Sequence, residues 1–172
     1  SALVLAVDDS HLRKTGRKVA AAGWYRDPLG PAFHTNLMWS QRFIQVSAAI
    51  PDPANPKRSR MIPVAVELIP KLPKPAKDAA EEELEQYAKI KALNSPGAHA
   101  RRLLRQIRDY LDSSASHAGR LIMACGDGDY SNSTLLQHLP PKTVYIGRTR
   151  SDLNLRSVPK QAKHPSAGRP RS

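Results

Sequence analysis

Apolar residues in this chain gather in short runs that stop at carboxylates, prolines or glycines. Ala2 to Val7 is continuously apolar and runs into Asp8-Asp9, and Leu121 to Gly126 runs into Asp127-Gly128-Asp129. Runs of five or six apolar residues bounded by turn chemistry read as strands buried on both faces. Val19 to Tyr25 predicts a second strand, and Asp27-Pro28-Leu29-Gly30-Pro31 interrupts the sheet, since proline lacks a ladder donor and glycine frees the backbone. Phe43 to Ile50 predicts a third strand, closed by Pro51-Asp52-Pro53. Met61 to Ile69 is a further strand or an extended segment along an edge.

The period changes after the prolines between Lys71 and Lys77. Asp78, Glu81, Glu82, Glu83 and Glu85 precede Lys89 and Lys91, the polarity that a helix macrodipole favours. Ser95-Pro96 reads as an N-cap followed by proline in the first turn. Beyond it Ala100, Leu103, Leu104, Ile107, Tyr110 and Leu111 recur at i, i+3, i+4, with Arg101, Arg102, Arg105 and Arg108 on other faces. A short helix from about Asn132 to Gln137 and a strand from Val144 to Gly147 follow. Strands, a helical segment, then strand, helix and strand predict an α/β domain with a mixed sheet over residues 1–152. From 153 to 172 Lys, Arg, Pro, Ser and Gly dominate, which predicts a disordered tail.

Composition narrows the chemistry. With 172 residues and 40% hydrophobic content, one domain with a real core is expected. Lys+Arg 27 against Asp+Glu 15 leaves a net charge of +12, which favours a polyanionic partner such as nucleic acid. A single cysteine, Cys125, excludes a disulfide framework and a cysteine zinc site, and suits a reducing compartment. No apolar run approaches the roughly 20 residues of a membrane span, and no signal peptide is recognisable at the start. The chain opens on Ser1 rather than methionine, so it reads as part of a longer protein.

Carboxylates at strand ends suit a hard cation, because magnesium takes oxygen ligands, often one or two carboxylates with water and substrate phosphate. Two such ions can stabilise the attacking and leaving oxygens of an in-line displacement at phosphorus. Asp9 and Asp127, 118 positions apart, are the candidate pair. Asp8 competes with Asp9, since neighbours on a strand point to opposite faces, and Asp129 competes with Asp127. The six histidines (His11, His34, His99, His117, His138 and His164) lack metal-ligand spacing and read as surface or structural. Cys125 reads as a small buried residue, and Trp24, Tyr25 and Trp39 as core aromatics. Lys14, Arg17, Lys18, Arg148 and Arg150 flank the acidic strand ends or the neighbouring strand and are candidates for phosphate contact.

Val7-Asp8-Asp9-Ser10, Lys14-Thr15-Gly16-Arg17-Lys18 and Gly126-Asp127-Gly128-Asp129-Tyr130-Ser131-Asn132 together resemble the catalytic domain of bacterial insertion-sequence transposases of the DDE type. The resemblance spans most of residues 2–155 and implies a ribonuclease-H-like fold. It also implies cutting of DNA and joining of 3′ ends with two Mg2+ (or Mn2+) ions held by Asp, Asp and Glu. The family's D-D-T/S pattern points to Asp9 as the first ligand, and G-D-x-x-Y to Asp127 as the second. The third is missing: no Glu follows Glu85, and Ala167 to Ser172 resembles a basic segment that the family carries before its final helix. The resemblance therefore implies a fragment, truncated and inactive alone, of a cytoplasmic, nucleoid-associated bacterial protein that binds DNA, no membrane, and can form homo-oligomers at full length. The rival readings are a non-enzymatic DNA-binding or regulatory remnant and a metal-dependent phosphatase.

Overall fold

A computed structural model describes residues 2–149 apart from 28, 32 and 35. Ten elements follow in order: β1 (Leu3–Arg13), β2 (Gly23–Arg26), β3 (Leu37–Asp52), β4 (Asn55–Ile69), α1 (Glu81–Leu93), α2 (Pro96–Asp112), β5 (Ile122–Gly126), a single 3-10 turn (Gly128–Tyr130), α3 (Ser133–Leu136) and β6 (Thr143–Gly147). The strands form one mixed six-stranded sheet ordered β2-β3-β1-β5-β6, with β4 also paired to β3. β3 runs antiparallel to β1, β2 and β4, whereas β5 and β6 run parallel to β1. This is the mixed α/β sheet that the element order predicts. Arg150 and the expected tail 153–172 lie outside the described residues.

Among the described residues only one face of the sheet is fully buried. Leu5 and Val7 of β1, Ile44, Val46 and Ala48 of β3, and Ile122 and Ala124 of β5 share a core with Leu103, Leu104 and Leu111 of α2. The intervening residues are open: Val4 is 40% exposed, and Val66, Val144 and Ile146 more so. The expectation that β1 and β5 are buried on both faces is thus corrected, because the described helical packing lies against one side alone.

Helix α2 follows its sequence signals closely. The Ser95 side chain accepts a hydrogen bond from the Ala98 amide, and Pro96 occupies the first turn. Two positions depart from the periodic reading. Tyr110 is 76% exposed, and Arg108 is 1% exposed. The Arg108 guanidinium donates to Asp112, to the Arg120 carbonyl at 2.6 Å and to the Ala118 carbonyl at 3.1 Å. It thereby pins the loop that leads into β5. Trp24, expected in the core, is exposed and packs against Trp39 across the β2–β3 ladder. Among the described residues no helix is long and apolar enough to cross a membrane.

Candidate functional site

The acids of the first motif lie within a strand and not at its end. β1 continues through Asp8 and Asp9 to Arg13, paired with β3 as far as Arg13↔Ser40. On its other side the parallel ladder with β5 stops at Val7↔Gly126. Asp8 and Asp127 each lie one residue beyond the last pair of that ladder. Asp127 has an extended backbone (φ −77°, ψ −173°), and its side chain caps the 3-10 turn that leads to Tyr130. Val7 is buried and Asp8 is exposed, so Asp8 lies on the open face of β1.

Asp8 and Asp127 are both exposed, and each has one oxygen held by backbone. Asp8 Oδ1 accepts from the Asp9 amide at 2.8 Å, and Asp127 Oδ1 accepts from the Asp129 amide at 3.0 Å. Their Oδ2 atoms have no protein partner among the described residues. Exposed carboxylates with a free oxygen are the kind of ligand that a hydrated magnesium ion accepts. Among the described residues no group of three or more His, Cys, Asp or Glu side chains could hold a metal ion.

Asp9 is placed differently. Its side chain lies on the buried face, 16% exposed, where Oδ2 accepts from Arg42 Nε at 2.7 Å and Oδ1 accepts from the Tyr130 hydroxyl at 2.9 Å. Burial pushes the Asp9 carboxyl up, but the Arg42 hydrogen bond and charge, with the Tyr130 hydroxyl, hold it below the usual carboxylate range. Burial, the Asp9 charge and the donated hydrogen bond all raise the Tyr130 phenol, so it stays a donor. Arg42 is raised: burial opposes its charge, and Asp9 more than restores it. The structure therefore splits the first pair of candidates: Asp8 is exposed, and Asp9 is paired with Arg42 on the buried face.

Around this ion pair the buried face of the sheet turns polar. His11 Nδ1 lies 3.2 Å from Ser40 Oγ, and the ring meets Tyr25 edge-on. From β4, Glu67 reaches α2, where its Oε1 lies 2.9 Å from Arg102 Nη2 and 3.1 Å from His99 Nδ1. His99 is 2% exposed, and burial lowers its pKa although Glu67 pulls the other way. Burial raises Glu67, yet Arg102 and His99 bring it below the usual range. Glu67 Oε2 and His99 Nε2 are buried without a partner. His99 is thus structural, as its lack of ligand spacing predicts.

The basic candidates fall in two places. Lys14, Arg17 and Lys18 sit in the loop after β1, which is tied down by Trp39 Nε1 on the Gly16 carbonyl at 2.8 Å and Gln41 Nε2 on the Ala20 carbonyl at 2.7 Å. Because β1 continues past the acids, this loop begins roughly 17–20 Å along the strand from them at about 3.4 Å per residue. Flanking of the first acids is thereby corrected for these three. Arg148 follows Gly147, which pairs with Gly126, so it does stand next to Asp127. Cys125 is half-buried and reduced, its thiol donating to the Leu5 carbonyl.

Sequence reasoning missed Arg42, Tyr130 as a partner of Asp9, and Glu67. A signal for Arg42 existed, since Met38, Ser40, Arg42, Ile44, Val46 and Ala48 alternate on one face of β3, and a cation in such a row needs a buried anion opposite. No family model matches the chain, and no curated protein or solved structure shows significant similarity to it.

Proposed function

We propose that the chain is part of the catalytic domain of a DDE-type transposase with a ribonuclease-H-like core, acting on DNA in the bacterial cytoplasm. One observation carries the reading: the parallel pairing of β1 with β5, which delivers the D-D-S and G-D-x-x-Y motifs to adjacent positions from opposite ends of the chain. The antiparallel β1, β3 and β4, with β5 and β6 parallel to β1, support it as well. In this reading Asp8 and Asp127 hold the divalent ion, and Asp9 with Arg42 and Tyr130 fixes the strand that presents Asp8. A bound divalent ion supplies charge stabilisation at a phosphate. Arg148 beside Asp127 is placed to hold the backbone of the same strand.

Two carboxylates and water hold one ion loosely, so the isolated chain is inactive and cleavage needs a further acidic ligand. The absence of a three-ligand group among the described residues favours a second reading, a DNA-binding remnant without cleavage. Titration with Mn2+, followed by the loss of its free-ion paramagnetic signal, tests the metal reading. Asp8→Asn and Asp127→Asn each abolish binding, whereas Asp9→Asn leaves it within about threefold. Equal binding by wild type and Asp127→Asn refutes the assignment, and loss through Asp9→Asn alone returns the first role to Asp9.

A further inference from the structure

On the outer side of α2, a shallow cavity of about 380 Å³ is lined by Arg101, Arg102, Arg105, Gln106 and His138, with no acidic side chain among them. Arg102 is already committed to Glu67 and to the Leu93 carbonyl. Arg101 and Arg105 have no carboxylate partner among the described residues, although Asp109 stands one turn beyond Arg105. Like charges one turn apart on a helix repel, and an anion between them relieves that repulsion. His138 comes from the other side, directly after α3, and supplies an imidazole N–H.

Position ties this cavity to the acidic pair. Residues 127–138 run from Asp127 through the 3-10 turn and α3 to His138, and α3 packs on α2. Arg101 and Arg105 are four residues apart on α2, so their Cα atoms are separated by about 6 Å along the axis at about 1.5 Å per residue. Three of the five described lining residues are arginines, and guanidinium groups bind phosphate through paired donors.

We propose that Arg101, Arg105 and His138 form a phosphate-binding site for the backbone of duplex DNA, separate from the carboxylate pair. It extends the DNA-handling reading above and rests on that reading for the identity of the polyanion. The site makes no base contact, so its contribution is independent of sequence and dependent on salt.

The test is the anisotropy of two labelled 20-base-pair duplexes of unrelated sequence, titrated with the full chain at stepped salt. Arg101→Gln/Arg105→Gln/His138→Gln is compared with wild type and with Lys14→Gln/Arg17→Gln/Lys18→Gln, and circular dichroism confirms folding of each. The cavity variant flattens the slope of log affinity against log salt by about 2, given about 0.9 per phosphate released, and weakens both duplexes at least tenfold near 0.1 M salt. An unchanged slope and affinity overturns the site while leaving DNA binding in place. Displacement of the duplex by millimolar inorganic phosphate, at constant ionic strength, to the same extent from wild type and the cavity variant places the phosphate contacts elsewhere and also overturns it. Absence of DNA binding by wild type defeats the site and the DNA reading together, whereas failure to bind Mn2+ bears on the carboxylate pair alone.

Discussion

Replacing Arg42 by Met leaves the Asp9 carboxylate on the buried face with the Tyr130 hydroxyl as its remaining partner. Asp9 is 16% and Arg42 24% exposed, so the pair lies between the surface and the fully buried case. Breaking a fully buried pair by removing one member costs about 3–5 kcal/mol, and exposed pairs are worth about 1 kcal/mol or less. We expect about 2–3 kcal/mol for Arg42→Met. At roughly 2–4 °C per kcal/mol for a domain of this size, the thermal midpoint falls by about 5–10 °C. Because the penalty comes from the stranded charge, it shrinks to about 1 kcal/mol when Asp9 is already Asn. The double-mutant cycle at pH 7, by urea unfolding, therefore gives a coupling of about 1–2 kcal/mol. The folded Asp9 pKa lies below the ordinary 3.8, so its contribution is complete above that value and is lost as pH falls through the lower folded one. Without Arg42, burial raises the folded Asp9 pKa in the variant, so the gap is full at pH 7 and closes as pH falls from the variant's higher folded pKa toward the wild type's lower one. Equal destabilisation by Arg42→Met in the wild-type and Asp9→Asn backgrounds refutes the ion pair as the source.

Arg108→Met removes the donors that satisfy two loop carbonyls and Asp112, and should destabilise by about 3 kcal/mol in chemical denaturation, with faster hydrogen exchange at Ala118 to Arg120. His99 is held neutral below its ordinary 6.5, so the unfolded chain takes up the proton first and stability declines as pH falls from 6.5 toward the lower folded value. His11 shifts in the same direction, from burial and Arg42. His99→Gln should flatten the decline between about pH 6.5 and 5, and His11→Gln added to it should flatten it further; an unaltered pH profile in the double variant counts against both.

Where local chemistry decides the structure, the sequence was sufficient. Ser95 and Pro96 start α2 because the cap and the fixed φ act within one turn, and Asn132 caps α3 in the same way, its side chain accepting from the Leu135 amide. Strand ends were harder, because they depend on partners far along the chain. β1 was expected to finish at Val7, where β5 leaves it, but β3 remains paired alongside through Arg13 and gives the polar residues Asp8 to His11 their ladder. The choice between Asp8 and Asp9 was illegible for a related reason. Alternation says that the two face opposite ways, while only the packing of α2 says which face is buried. Arg108 misled because periodicity counts charge as surface, and its carbonyl partners at Ala118 and Arg120 lie in an irregular loop that carries no pattern.

The two halves of the sheet differ greatly in how far apart their partners are in sequence. β3 and β4 form a hairpin closed by the short turn at Asp52↔Asn55, whereas Leu3↔Ile122 joins residues 119 apart. Closing the longer loop loses more chain entropy before any contact rewards it, and such non-local pairings slow folding. The hairpin accordingly forms early, and β5 docks against β1 late. The strands that carry Asp8 and Asp127 are joined only at that late step, whereas the hairpin holds Arg60 to Asp52 within its own tip from the start.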